Sequence, residues 1–147
     1  GAVHPTNIKG NIMATYTSDV VSGNSSFKPF PSGQLGVRYA KFEATTAVAT
    51  SDVIQMVDVF AGETVHDVVL KVDDLDTGTT LVLDVGDGGD TDRIIDGSTS
   101  GQAGGVDKTD AAFAPYAYSA DDTIDITVQA GPAGGGTGTI ELWVYVS

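Results

Sequence analysis

Five aspartates, Asp84, Asp87, Asp90, Asp92 and Asp96, crowd one glycine-rich stretch, DVGDGGDTDRIIDG at 84–97. Carboxylates on a tight loop are the hard oxygen ligands that Ca²⁺ takes, which makes Asp87, Asp90 and Asp92 calcium candidates. The spacing departs from the helix-loop-helix calcium loop, because counting from Asp87 places Ser98 where the bidentate Glu belongs. The nonapeptide repeat of calcium-binding β-rolls is also missing. The favoured expectation is a β-turn whose aspartates accept local backbone N–H groups, with Arg93 paired to one of them. No cofactor or resident metal is expected.

The remaining reactive residues point to no active site. GPAGGGTG at 131–138 lacks a lysine after its glycines and leads into a strand, whereas a phosphate cradle leads into a helix. His4 and His66 have no second histidine or cysteine near in sequence, so no zinc pair is indicated. No serine sits in a Gly-x-Ser-x-Gly turn. The seventeen aspartates single out no pair for glycoside hydrolysis. The expectation is a non-enzymatic protein.

Aromatic residues are the better functional signal, because they are enriched at protein contacts and sugar-binding faces. Trp143 and Tyr145 occupy alternate positions of the last apolar segment, on the face opposite Ile140, Leu142, Val144 and Val146. With Tyr116 and Tyr118 they are candidates for an exposed patch. The competing expectation covers both faces of that segment, inside the fold or beneath the N-terminal stretch. Phe27, Lys28 and Phe30 form a second candidate contact, serving either a partner's groove or this domain's own surface.

These side chains must be positioned by strands. Runs at 37–44, 53–60, 64–72 and 80–86 are five to nine residues long, rich in Val, Ile and Leu, and bounded by Gly or Asp. Strict alternation at 123–130 places Ile124, Ile126 and Val128 on a core face, and 139–146 repeats the pattern. The glycine-rich segment between these two is expected to close a hairpin, and 97–112 an exposed tip loop. Seven or eight such strands predict an all-β antiparallel sandwich, jelly-roll or Greek-key-like. Residues 1–36 are rich in Gly, Ser, Asn and Pro without periodicity. They are expected to form an extended N-terminal arm ahead of a sandwich domain at 37–147. Met13 is a candidate natural start, with 1–12 an added leader; removal of an initiating Met before Gly1 is the alternative.

Composition bounds the partners. The chain has 147 residues, a net charge of −13 and no cysteine, so no disulfide framework is available. Lys9, Lys28, Arg38 and Lys41 against Asp19 give residues 1–42 a charge of +3, and residues 43–147 carry −16. An acidic body repels nucleic acid and anionic membrane. No apolar run reaches the roughly 20 residues of a membrane span.

Several segments resemble the capsid decoration, or cement, proteins of tailed bacteriophages. DVIQMVDVFAG at 52–62 and VHDVVLKV at 65–72 resemble that family's segments. The 84–97 stretch is similar to its (I/V)GDGDDxDxFIDG pattern, and YSADDTIDITV at 118–128 to its YSAxDTIDxTV pattern. The likeness spans roughly residues 50–147. It implies a virion protein on the outer capsid surface that binds the major capsid protein, often as a homotrimer at local threefold positions, and braces the head against internal pressure. A tail or baseplate component and a calcium-assisted carbohydrate-binding module are the alternatives.

Overall fold

The computed structural model describes residues 13–23 and 34–147. Ten strands form two layers: β1 (Thr15–Thr17), β2 (Gly36–Ala44), β3 (Val53–Val59), β4 (Thr64–Val72), β5 (Val82–Gly86), β6 (Ile95–Ser98), β7 (Gly105–Lys108), β8 (Tyr116–Ala117), β9 (Asp122–Ala130) and β10 (Gly138–Val146). One sheet has the order β1-β3-β9-β5-β6, and the other β2-β10-β4-β7 with β8 also on β4. Among the described residues, all strand pairings are antiparallel except β1 with β3. The fold is the expected β-sandwich. Among the described residues, no helix is long and apolar enough to cross a membrane.

Alternation builds the core where it is unbroken. Ile124, Ile126 and Val128 of β9 face Ile140, Leu142 and Val144 of β10 across the layers, all fully buried. In β3 the period breaks, because the register against β9 shifts between Gln55 and Val57. The extra residue lets Met56 and Val57 both be buried and keeps Asp58 toward the surface. Without that bulge Asp58 would take the place of Val57 on the core face.

Two expectations are corrected. Strands β9 and β10 form no hairpin: β9 lies between β3 and β5 in one sheet, and β10 between β2 and β4 in the other. The 131–138 segment instead crosses the layers. Asp76, almost fully buried, anchors the crossing by accepting the N–H groups of Gly78, Thr80, Leu81 and Ala133, each at 2.8 Å. Burial alone would raise the Asp76 pKa, but these four donors hold it well below the usual carboxylate range. The second correction concerns 97–112, which is no simple tip. It supplies β7, paired with β4, and a 3-10 turn whose Gly101 lies buried against Leu81.

Residues 14–19, within the stretch read as an arm, hydrogen-bond to both sheets. Asp52 accepts the N–H of Ala14, whose carbonyl receives Val53 N–H, and Ser18 N–H donates to Gln55 O. Asp19 then accepts Lys41 N–H and donates its own N–H to Lys41 O, so the edge of β2 is capped there. Nearby, the buried Arg38 reaches Glu63 Oε1 at 2.7 Å and Asp58 O at 3.0 Å, which ties β2 to the β3–β4 turn.

Candidate binding face

The outer face of the second sheet is built from cross-strand rows. One row runs Lys41, Glu141, Lys71, Val106 through β2, β10, β4 and β7. The next runs Tyr39, Trp143, Val69, Lys108, and the third Val37, Tyr145, Asp67. The register shift in β4 beside Tyr145 and Val146 puts Val65, Val68, Leu70 and Val72 inward, so Asp67, Val69 and Lys71 turn outward. The same face carries exposed apolar side chains from β2 and β7. Val106 is 64% exposed, Val37 48% and Tyr39 40%.

Trp143 sits at the centre. Its ring lies 5.0 Å from that of Tyr39, tilted at 46°, and Tyr39 donates its hydroxyl to Glu141 at 2.7 Å. That hydrogen bond, with burial and the neighbouring carboxylates Glu141, Asp19 and Glu43, pushes the Tyr39 pKa up to about 12. The phenol therefore stays a neutral donor across physiological pH. Beside Trp143 a groove of about 240 Å³ is lined by Val69, Lys71, Val106, Trp143 and Tyr145. It is open to solvent, mainly apolar, and suited to one large side chain.

The structure thus brings together Trp143 and Tyr145, on the outward face that alternation indicates. Tyr116 and Tyr118 do not join them. Tyr118 is buried in the core, and Tyr116 stacks under the Arg93 guanidinium at 3.8 Å. Phe27, Lys28, Phe30 and His4 lie outside the described residues. His66 is exposed at the irregularity of β4, its Nε2 2.7 Å from Ser147 Oγ. Sequence reasoning missed Val69, Lys71, Val106 and Tyr39. A bulge reverses the phase of β4, and Val106 belongs to a strand with no apolar alternation.

Asp84, Asp87 and Asp90 of the aspartate loop turn their carboxylates to internal partners, Asp84 accepting Gly97 N–H at 2.8 Å. Asp87, 1% exposed, accepts from Arg93 Nε at 2.6 Å, Tyr118 Oη at 2.8 Å, and the N–H groups of Gly89 and Asp90 at 3.0 and 2.9 Å. Burial raises its pKa, but Arg93, Tyr118 and the Asp90 N–H outweigh burial and lower it. Asp90 accepts Asp92 N–H at 3.3 Å, and the Asp92 carboxyl is raised chiefly by its hydrogen bond with Asp90. Among the described residues no three acidic or imidazole groups converge as a metal site. The loop's chemistry is that of a hydrogen-bonded turn fastened to the core.

Comparison with known structures connects this architecture to phage heads. The chain is similar to a chain in the structure "Capsid of Ralstonia phage GP4", at 29% identity over 90% of this chain and 97% of that one, with a TM-score of 0.76. A chain of the "Cyanophage Pam1 capsid asymmetric unit" shares the fold at 23% identity and a TM-score of 0.68, over 85% and 94% of the two chains. A chain of the "Acidic stable capsid structure of Helicobacter pylori bacteriophage KHP30" does so at 15% identity and 0.54, over 76% and 86%. No protein-family model and no curated protein matches the chain.

Proposed function

We propose that this chain is a non-enzymatic virion structural protein that binds the outer surface of a phage head and stabilises it. The observation that carries this reading is the 0.76 TM-score and 29% identity to a chain of the Ralstonia phage GP4 capsid, along nearly the full length of both chains. Physical support comes from the charge distribution. An acidic body disfavours direct contact with packaged nucleic acid, and one sheet face keeps an apolar groove with Trp143 and Tyr145 beside it. The partner in this reading is the major capsid protein, bound by a homotrimer at the groove face and through Phe27, Lys28 and Phe30 of the N-terminal stretch.

The test mixes purified protein with capsids that lack it, and measures binding and the capsid melting temperature. Saturable binding with a higher melting temperature is the expected result. Absence of binding to every capsid form overturns the proposal.

A carbohydrate-binding role is the second reading, favoured by the Tyr39–Trp143 pair beside Glu141. Trp143 is the chain's single tryptophan, so its fluorescence would report sugar occupancy directly. A saturable emission change with oligosaccharides, without capsid binding, would favour it.

A further inference from the structure

We propose that the groove between β10, β4 and β7 receives one bulky apolar side chain from an acidic segment of a neighbouring capsid protein, with Lys71 and Lys108 meeting carboxylates on that segment. The proposal rests on the capsid-binding reading above and names the chemistry of the contact.

The distribution of positive charge singles out this face. Lys41, Lys71 and Lys108 are the three lysines among the described residues, and all three lie on it. Lys41 has Glu43 at 3.8 Å. Among the described residues, Lys71 and Lys108 have no carboxylate within ion-pair distance, in a chain with twenty acidic residues. The two flank the groove diagonally: Lys71 pairs with Val106 across β4 and β7, and Lys108 with Val69. Glu141, the nearest acid in the row, is engaged by the Tyr39 hydroxyl. The net effect is an apolar slot bordered by two ammonium groups that, with Lys41, offset the face's own Glu141 and Asp67, on an otherwise strongly negative molecule.

An acidic segment is the complementary occupant. Approach of carboxylates elsewhere on the acidic 43–147 body, which carries −16, is opposed electrostatically, whereas here the lysines attract and orient them. The slot's size limits the apolar anchor to about one aromatic or long aliphatic side chain.

The experiment has two arms, both with capsids lacking this chain as the probe. In the first, wild-type protein is bound and treated with a zero-length carbodiimide that joins amines to touching carboxylates, and cross-linked peptides are mapped by mass spectrometry. The expected result is Lys71 and Lys108 joined to Asp or Glu of one capsid-protein segment that also carries a bulky apolar residue. In the second, K71E/K108E is expected to bind capsids at least tenfold more weakly with unchanged thermal unfolding of the free protein, while K71R/K108R retains affinity. Wild-type affinity in K71E/K108E overturns the proposal, as do cross-links from these lysines to a second copy of this chain. If wild-type protein fails to bind any capsid, the capsid-binding reading itself is overturned and this proposal with it. Normal wild-type binding with insensitive lysine variants overturns only the groove assignment.

Discussion

Arg93 Nε lies 2.6 Å from Asp87 Oδ2, and the same carboxylate oxygen accepts the Tyr118 hydroxyl at 2.8 Å. One charged group therefore joins the turn after β5 to the chain entering β9, while Arg93 also covers the Tyr116 ring. Removing the charge with Asp87→Asn should cost about 1.5–3 kcal/mol, the range for hydrogen bonds to a charged group. Urea unfolding at pH 7 measures it. Because the Asp87 pKa is lowered on folding, its contribution is present above the unfolded value of 3.8 and is lost as pH falls through the folded one. The variant should accordingly approach wild type at strongly acid pH. With both Asp87 oxygens occupied, millimolar calcium should leave the melting temperature unchanged; a calcium-dependent rise would contradict this reading of the loop.

Asp125 should make stability fall as pH rises toward neutral. Its carboxyl is 6% exposed, and burial pushes its pKa to about 7, with Asp122 and Asp87 adding to the rise and the Thr123 hydroxyl opposing it. The folded chain thus holds a proton that the unfolded chain releases near 3.8, so stability declines between that pH and about 7 and then levels. Asp125→Asn keeps an acceptor for Thr123 and removes the titration. Denaturation midpoints at pH 5 and pH 8 should both show a gain for the variant, the larger one at the higher pH. Equal midpoints at pH 8 would rule the mechanism out.

Two glycines should respond differently to alanine. A Cβ on Gly86 would lie 2.1 Å from Asp90 O and 2.5 Å from Thr91 C, backbone atoms that cannot rotate away. Gly86→Ala should therefore cost about 3 kcal/mol or more, at the severe end of overpacking. Gly62 has open space around its Cβ position but a φ of +91°, so Gly62→Ala should cost only about 1 kcal/mol through backbone strain. Calorimetric melting of both variants compares the two penalties. Comparable losses would show that the turn after β5 relaxes more than its contacts allow.

Neighbouring residues of β10 should separate stability from binding. Leu142→Ala empties a fully buried site and should cost about 3 kcal/mol. Trp143→Ala removes an outward ring stacked on Tyr39 and should cost about 1 kcal/mol, the scale of an aromatic pair. Under the proposed capsid-binding role, its capsid affinity should nevertheless fall at least tenfold, because the groove loses one wall. Capsid co-sedimentation and thermal unfolding, run in parallel, read the two effects. A Trp143→Ala protein of normal affinity would move the contact away from this face.

The sequence by itself determined which side of β9 and β10 meets the core, because period-two alternation is written locally in Ile124, Ile126 and Val128 and in Ile140, Leu142, Val144 and Val146. It also determined the all-β class and the outward direction of Trp143 and Tyr145. Only the tertiary structure decided which strands are neighbours. Alternation identifies a face and says nothing of the partner across it, so the glycine-rich 131–138 segment read as a hairpin although β9 and β10 belong to different layers. The bulge after Gln55 and the phase reversal in β4 were likewise set by pairing with distant strands. So was the groove, where Val69 and Lys71 meet Val106 and Trp143 from segments far apart in the chain. Tyr118 became core for the same reason: its hydroxyl finds Asp87, thirty-one positions earlier, a partner that a local pattern cannot reveal.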